Sequence, residues 1–457
     1  MTKRIDLVKG DVLKTLITLS LPILGTSFIQ MAYSLVDMLW IGRVGSAAVA
    51  AVGTAGFFAW FGNSLVLVSK TGAEVGVSQA IGKGDIKKRD KYINNSLILC
   101  VMMAIIYSFI LLIFREQLIG FFKLGDENII QMSIQYLVII SISMVCAFLN
   151  PQFTGIITAT GNSKTPFLVN TVGLVVNIVL DPIFIFGMGP IPKMGVAGAA
   201  LATALAQVVV TILFIRIFVK GGYKLNLKGK VLDFAAIKEI AIWGIPSAVQ
   251  NCLFAFFAMI IGRLVASFGA TAIAVQKVGS QIESISWMTA GGFSSALTAF
   301  VGQNYGAKAY DRVRQGYKST IFIASMLGVF ATLLLVFGGQ WLFSIFLPEQ
   351  EAILKGADYL RILGYSQIFM CIEITTSGAF FGVGKTMPPS IIGVIFTGLR
   401  IPMAMLLAKP ELLGLDGIWW SISISSVIKG ILLVGLFAVM VLIPLKKKSE
   451  KKIEAIA

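Results

Sequence analysis

Apolar runs of twenty or so residues recur along the whole chain, each closed by a short polar connection. Each run is long enough to cross a hydrocarbon core about 30 Å thick. The pattern predicts about twelve helices, over 15–42, 49–80, 93–114, 130–159, 167–190, 195–218, 238–266, 271–303, 319–346, 355–382, 389–409 and 415–443. The expected fold class is therefore an all-α polytopic membrane protein. The opening Met1-Thr2-Lys3-Arg4-Ile5-Asp6 has none of the three regions of a signal peptide, so insertion is expected through the first span itself.

Composition agrees with the pattern. Of 457 residues, 57% are hydrophobic and 13% charged, against about 25% charged in a soluble domain. The four cysteines (Cys100, Cys146, Cys252, Cys371) all lie within apolar runs. They have neither metal-site spacing nor the look of a disulfide framework. A net charge of +16 could suggest nucleic acid, but its distribution excludes that reading. Lysine and arginine crowd into alternate connections: Lys3 to Lys14, Lys83 to Lys91, 216–238, Lys308 to Lys318, and Lys446 to Lys452. The remaining connections hold few, among them Arg43, Lys193 and Lys409. The positive-inside rule puts the first set in the cytoplasm, with both termini inside a plasma membrane, as an even span count requires. The partners expected are membrane lipid and small organic molecules, with the chain a monomer.

The chain repeats itself at an offset of about 220 residues. Ile41-Gly42-Arg43 recurs as Ile261-Gly262-Arg263, Gly161 to Pro166 is echoed by Gly384 to Pro389, and Gly195 to Gly198 by Gly414 to Gly417. Pro22 has Pro246 as its partner. With six spans each, the two repeats are parallel. The domains expected are an N-terminal lobe over 1–219, a cytoplasmic linker over 220–237, a C-terminal lobe over 238–445 and a basic tail over 446–457.

Charged and polar groups inside spans carry the candidate chemistry. A carboxylate deep in lipid costs about 2.5–3.5 kcal/mol on insertion scales, so it faces a protein interior or a watery cavity. Asp37 in the first span and Asp181 in the fifth are such residues. Asn177 lies four before Asp181 on the same helix face, and Thr203 in the sixth span reaches a similar depth. Two carboxylates, an amide and a hydroxyl suit a hard cation such as Na⁺. Two neighbouring carboxylates could instead share a proton, because like charges oppose double ionisation. The repeat does not copy this set: Asp37 aligns with Phe257, Asn177 with Arg400 and Asp181 with Ala404. Pro22 removes a helix bond below Asp37 and is expected to bend the first span. In the C-terminal half Glu283, Arg400 and Lys429 are expected near mid-membrane, with Glu373 a little inward. A neutralising pair such as Glu373 with Arg400 is expected there, the alternative being a substrate or second ion site. Lys70 and Glu74 are expected to pair along one helix face. The chain has no histidine and no phosphate-binding loop, so neither an enzyme nor an ATP-driven pump is expected, and no cofactor beyond a coupling ion.

These residues resemble the multidrug and toxic compound extrusion (MATE) family over nearly the whole chain. The resemblance is carried by Leu21-Pro22, Val36-Asp37, Gly42-Arg43, Ser78-Gln79 with Gly82, Ala159-Thr160-Gly161-Asn162 with Pro166, Asn177 to Pro182, Gly195 to Thr203, and Gly302-Gln303-Asn304 with Gly306. It implies a two-lobed exporter that works by alternating access, exchanging Na⁺ or H⁺ for amphiphilic, often cationic compounds. It further implies that Asp37, Asn177, Asp181 and Thr203 form the ion site and that Pro22 marks a bend. Glu373 resembles a carboxylate that some members carry in the tenth span. The acid those members have in the seventh is absent, with Gln250, Asn251 and Cys252 in its place. The rival readings are a flippase for lipid-linked saccharides, an ion channel and a membrane-embedded enzyme.

Overall fold

The computed structural model describes residues 5–221 and 232–454. The core of the expected linker and the last residues of the basic tail lie outside them. Each expected span coincides with a helix or a pair of helices: α1 (Val12–Gly42), α2 (Ser46–Gly82), α3 (Ile86–Ile113), the short α4 (Arg115–Gly120), α5 (Glu127–Ala159), α6 (Lys164–Phe186) and α7 (Gly195–Lys220). In the second half these are α8 (Phe234–Ala266), α9 (Ala270–Gly306), α10 (Tyr310–Ser344), α11 (Gln350–Gly364), α12 (Gln367–Gly382), α13 (Met387–Gly398), α14 (Arg400–Leu407), α15 (Leu415–Phe437) and α16 (Ile443–Glu454). Among the described residues, ten helical segments are long and apolar enough to cross a membrane. The exceptions are α9, which carries Lys277 and Glu283, and the interrupted α11–α12.

Two expected helices are broken, each for a local reason. Between α11 and α12, Thr332 Oγ1 donates to Gly364 O at 2.7 Å and Ser366 Oγ to Leu363 O at 2.9 Å. Hydroxyls there take carbonyls that a continuous helix would use. Between α13 and α14 the break at Leu399 lies three residues before Pro402, which has no N–H for Gly398 and crowds its carbonyl. The expected tail is not separate: α15 continues through a π-helical turn, Ala438–Leu442, into α16.

The repeat seen in sequence is a repeat of backbone. Gly195 and Gly414 both have positive φ, 54° and 56°, at the starts of α7 and α15. Three residues on, Gly198 lies against the Phe184 carbonyl and Gly417 against the Leu407 carbonyl, where a side chain has no room.

Two compact units result, and they depart from the chain-order halves at the first helix of each. Unit 1 holds Gly25–Ile81 and Asp85–Ala248, so it includes the start of α8; unit 2 holds Asp6–Leu24 and Val249–Ala457, so it includes the start of α1. Specific contacts cause the exchange. In unit 1, Asn95 Oδ1 accepts from Asp233 N at 2.9 Å, Lys91 pairs with Asp233, and Tyr92 bonds Glu239. In unit 2, Arg312 donates to the carbonyls of Gly10 (2.8 Å), Lys9 (3.2 Å) and Leu7 (3.3 Å), and Asn304 Nδ2 to Leu7 O (2.9 Å). The helix α1 remains continuous through Pro22, which lies just before the change of unit.

Candidate functional site

Unit 1 brings its four expected polar residues together. Asp37 is on α1, Asn177 and Asp181 on α6, and Thr203 on α7. Asn177 and Asp181 are fully buried, one turn apart, with Asn177 Nδ2 donating to Asp181 Oδ1 at 3.1 Å. Thr203 Oγ1 donates to Asp37 Oδ2 at 3.5 Å, a long bond. The Asp37 carboxyl lies beside the Asp181 carboxyl and the Asn177 carboxamide. Two phenols also face the acids: Tyr33, one turn before Asp37 on α1, and Tyr136 on α5. Sequence reading missed both. Tyr33 was findable by its i−4 spacing from Asp37. Tyr136 was not, because only tertiary packing brings α5 to the site.

Four buried oxygens here have no hydrogen-bond partner: Tyr33 Oη, Asp37 Oδ1, Asn177 Oδ1 and Asp181 Oδ2. A buried acceptor without a donor costs about 1–3 kcal/mol, and four in one place make a set that a hard cation or a shared proton would satisfy. The donors gathered here are carboxylate, amide and hydroxyl oxygens, the hard ligands that suit a hard cation. Elsewhere in unit 1, Lys70 and Glu74 lie 3.9 Å apart as the expected i,i+4 pair.

Unit 2 gathers the expected charges but pairs them differently. Glu373 on α12 is bonded to Lys429 on α15 at 2.9 Å, not to Arg400. Arg400, the first residue of α14, instead donates from Nε to Ser425 Oγ at 2.5 Å and from Nη2 to Ser426 Oγ at 3.1 Å. Packing sets the partners: α15 presents the adjacent Ser425 and Ser426 one turn before Lys429, so the ammonium meets α12 while the hydroxyls meet α14. Glu283 on α9 accepts from Gln367 Nε2 at 3.1 Å and lies beside the Tyr359 hydroxyl. Where an acid was missing from the seventh span, the Gln250 amide packs over Gly393.

The MatE family model matches residues 22–183 and again 246–406, one match for each half. The chain belongs to the MATE family. A relative, the probable multidrug resistance protein NorM of Thermotoga maritima, is 30% identical over 90% of this chain and 88% of its own length. An FAD transporter of Shewanella oneidensis is 24% identical over 94% of this chain and 95% of its own. The fold matches that of a multidrug resistance MATE family transporter of the MOP superfamily in an outward-facing conformation, with TM-score 0.89 and 24% identity, covering 98% of this chain and 99% of that one. This MATE protein is therefore a multi-pass membrane protein of a transporter family.

Proposed function

We propose that this MATE protein is a secondary exporter of amphiphilic organic compounds, driven by inward Na⁺ or H⁺ through alternating access. The observation that carries the reading is the Asp37–Asp181–Asn177–Thr203 cluster, with three unpartnered buried oxygens of its own and a fourth on Tyr33. An ion drives a conformational change only by binding one state better than another. Two carboxylates on different helices, α1 and α6, can do this, since movement of α1 changes their separation and hence their joint affinity for a cation. Pro22, below Asp37 in the same helix, is the point at which α1 would flex, since its ring removes a backbone bond there. The names of the relatives support export of varied compounds. The basic connections support a plasma-membrane protein with both termini in the cytoplasm. A lipid-linked saccharide flippase would want a cavity lined with arginine and lysine, whereas the mid-span Arg400 and Lys429 stand among the acids Glu283 and Glu373.

The test is efflux of a fluorescent amphiphile in proteoliposomes under an imposed Na⁺ or H⁺ gradient. Efflux that follows one gradient supports coupling. Efflux that ignores both, while following an added nucleotide or only the amphiphile's own gradient, refutes it.

A further inference from the structure

The mid-span charges Glu283, Glu373, Arg400 and Lys429 of unit 2 are unequally satisfied. Glu373 and Lys429 are buried and hold each other at 2.9 Å. Arg400 has no carboxylate at ion-pair distance among the described residues, and its bonds go to two neutral hydroxyls, Ser425 and Ser426. Glu373 and Glu283 both act on Arg400 through space, yet neither pairs with it: Lys429 holds Glu373, and Gln367 and Tyr359 engage Glu283. A guanidinium has five N–H donors in a planar fork. Here two of its nitrogens are anchored, Nη1 has no acceptor among the described residues, and the residue is half-buried instead of enclosed. The break before α14 places it in the middle of a span, where an ionisable group without a close counter-ion marks a substrate path more often than a packing role.

We propose that Arg400 is an anion-recognition site, taking the carboxylate of an amphiphilic organic anion as the substrate's polar end. The inference rests on the exporter reading and narrows its substrate class, away from the cationic compounds that the family resemblance implies. The serines fix the fork so that its open edge meets an incoming oxyanion, a geometry that an ammonium cannot reproduce. Inward movement of a cation and outward movement of an organic anion both carry positive charge inward, so an inside-negative potential assists each.

Purified full-length protein would be titrated with 1-pyrenebutyrate and with its methyl ester, which differ in the anion alone. Wild type is expected to bind the acid roughly tenfold more tightly, the scale of one charge-assisted hydrogen bond. Arg400→Gln should erase that preference and leave the ester's affinity unchanged. Arg400→Lys, which keeps the charge should the glutamine variant not fold, should retain only part of it. Glu283→Gln removes a competing negative charge and should tighten binding of the acid, whereas a merely neutralising Glu283–Arg400 pair predicts that both variants weaken it. Equal wild-type affinity for acid and ester, failure to bind either, an unchanged preference in Arg400→Gln, or weaker acid binding in Glu283→Gln overturns the assignment. The exporter reading is read separately from gradient-driven efflux of the ester: efflux without acid preference sinks the anion site alone. Acid preference without driven efflux sinks the exporter reading alone.

Discussion

At the scale of single residues, the energetic question is which buried groups are satisfied and which are waiting for a ligand. Glu373 and Lys429 are satisfied by each other. Lys429→Met leaves Glu373 as an orphaned buried charge and should cost about 3–5 kcal/mol. The double change Lys429→Met with Glu373→Gln should recover much of that, as read from thermal unfolding in detergent. No recovery would mean that one of the two residues holds something besides its partner. Asp37, Asn177 and Asp181 were legible in sequence because polarity stands out in an apolar run and four-residue spacing assigns a face. The partner of Glu373 was not legible. Arg400 and Lys429 lie at similar depths on neighbouring helices, and the choice between them depends on helix rotation, which a single sequence does not encode locally.

Helices set the next scale, where the exchange of first helices between units is the main result. The start of α8 lies against α2 in unit 1 through glycines: Gly244 meets the Val68 carbonyl and Gly72 the Ile240 carbonyl, with no room for a side chain at either. Gly244→Leu should force the two helices apart and cost about 1–3 kcal/mol, visible as faster hydrogen exchange over 234–248. Unchanged exchange there would contradict the close approach. Asp233 caps this helix, accepting from Ala235 N and Ala236 N at 2.9 and 3.0 Å. The hydrogen bond from Lys91 and those amides hold its carboxyl below the ordinary aspartate range. Because the folded value is depressed, the cap's contribution is full above the unfolded pKa and fades only as pH falls through the lower folded one. Mild acid should therefore leave the protection of Ala235 and Ala236, relative to their intrinsic exchange, unchanged, and a loss of protection near pH 5 would count against the pairing. The twelve spans were legible as apolar runs, and the repeat as matched Gly and Pro positions. The exchange was not, because Pro22 and Pro246 look like kinks in sequence. It took the contacts of Arg312 with 7–10 and of Lys91, Tyr92 and Asn95 with 233–239 to reveal which unit each helix start belongs to.

For the whole molecule, orientation and coupling are the claims at risk. Lys87, Lys318, Lys193 and Lys409 are all exposed. Cysteines replacing the first two should react with an impermeant thiol reagent only from the cytoplasm, and those replacing the last two only from outside, in a background lacking the native cysteines. Labelling from the opposite sides would invert the topology. Coupling is tested most directly by Asp37→Asn, which keeps shape and hydrogen bonding while removing the charge on which the proposed ion site depends. Efflux driven by an imposed Na⁺ or H⁺ gradient would be measured for this variant against wild type in the same proteoliposomes, with equal incorporation verified. The account predicts that Asp37→Asn folds, reaches the membrane, still binds the transported compound and loses gradient-driven efflux under both ions. Wild-type efflux by Asp37→Asn under either gradient would contradict it.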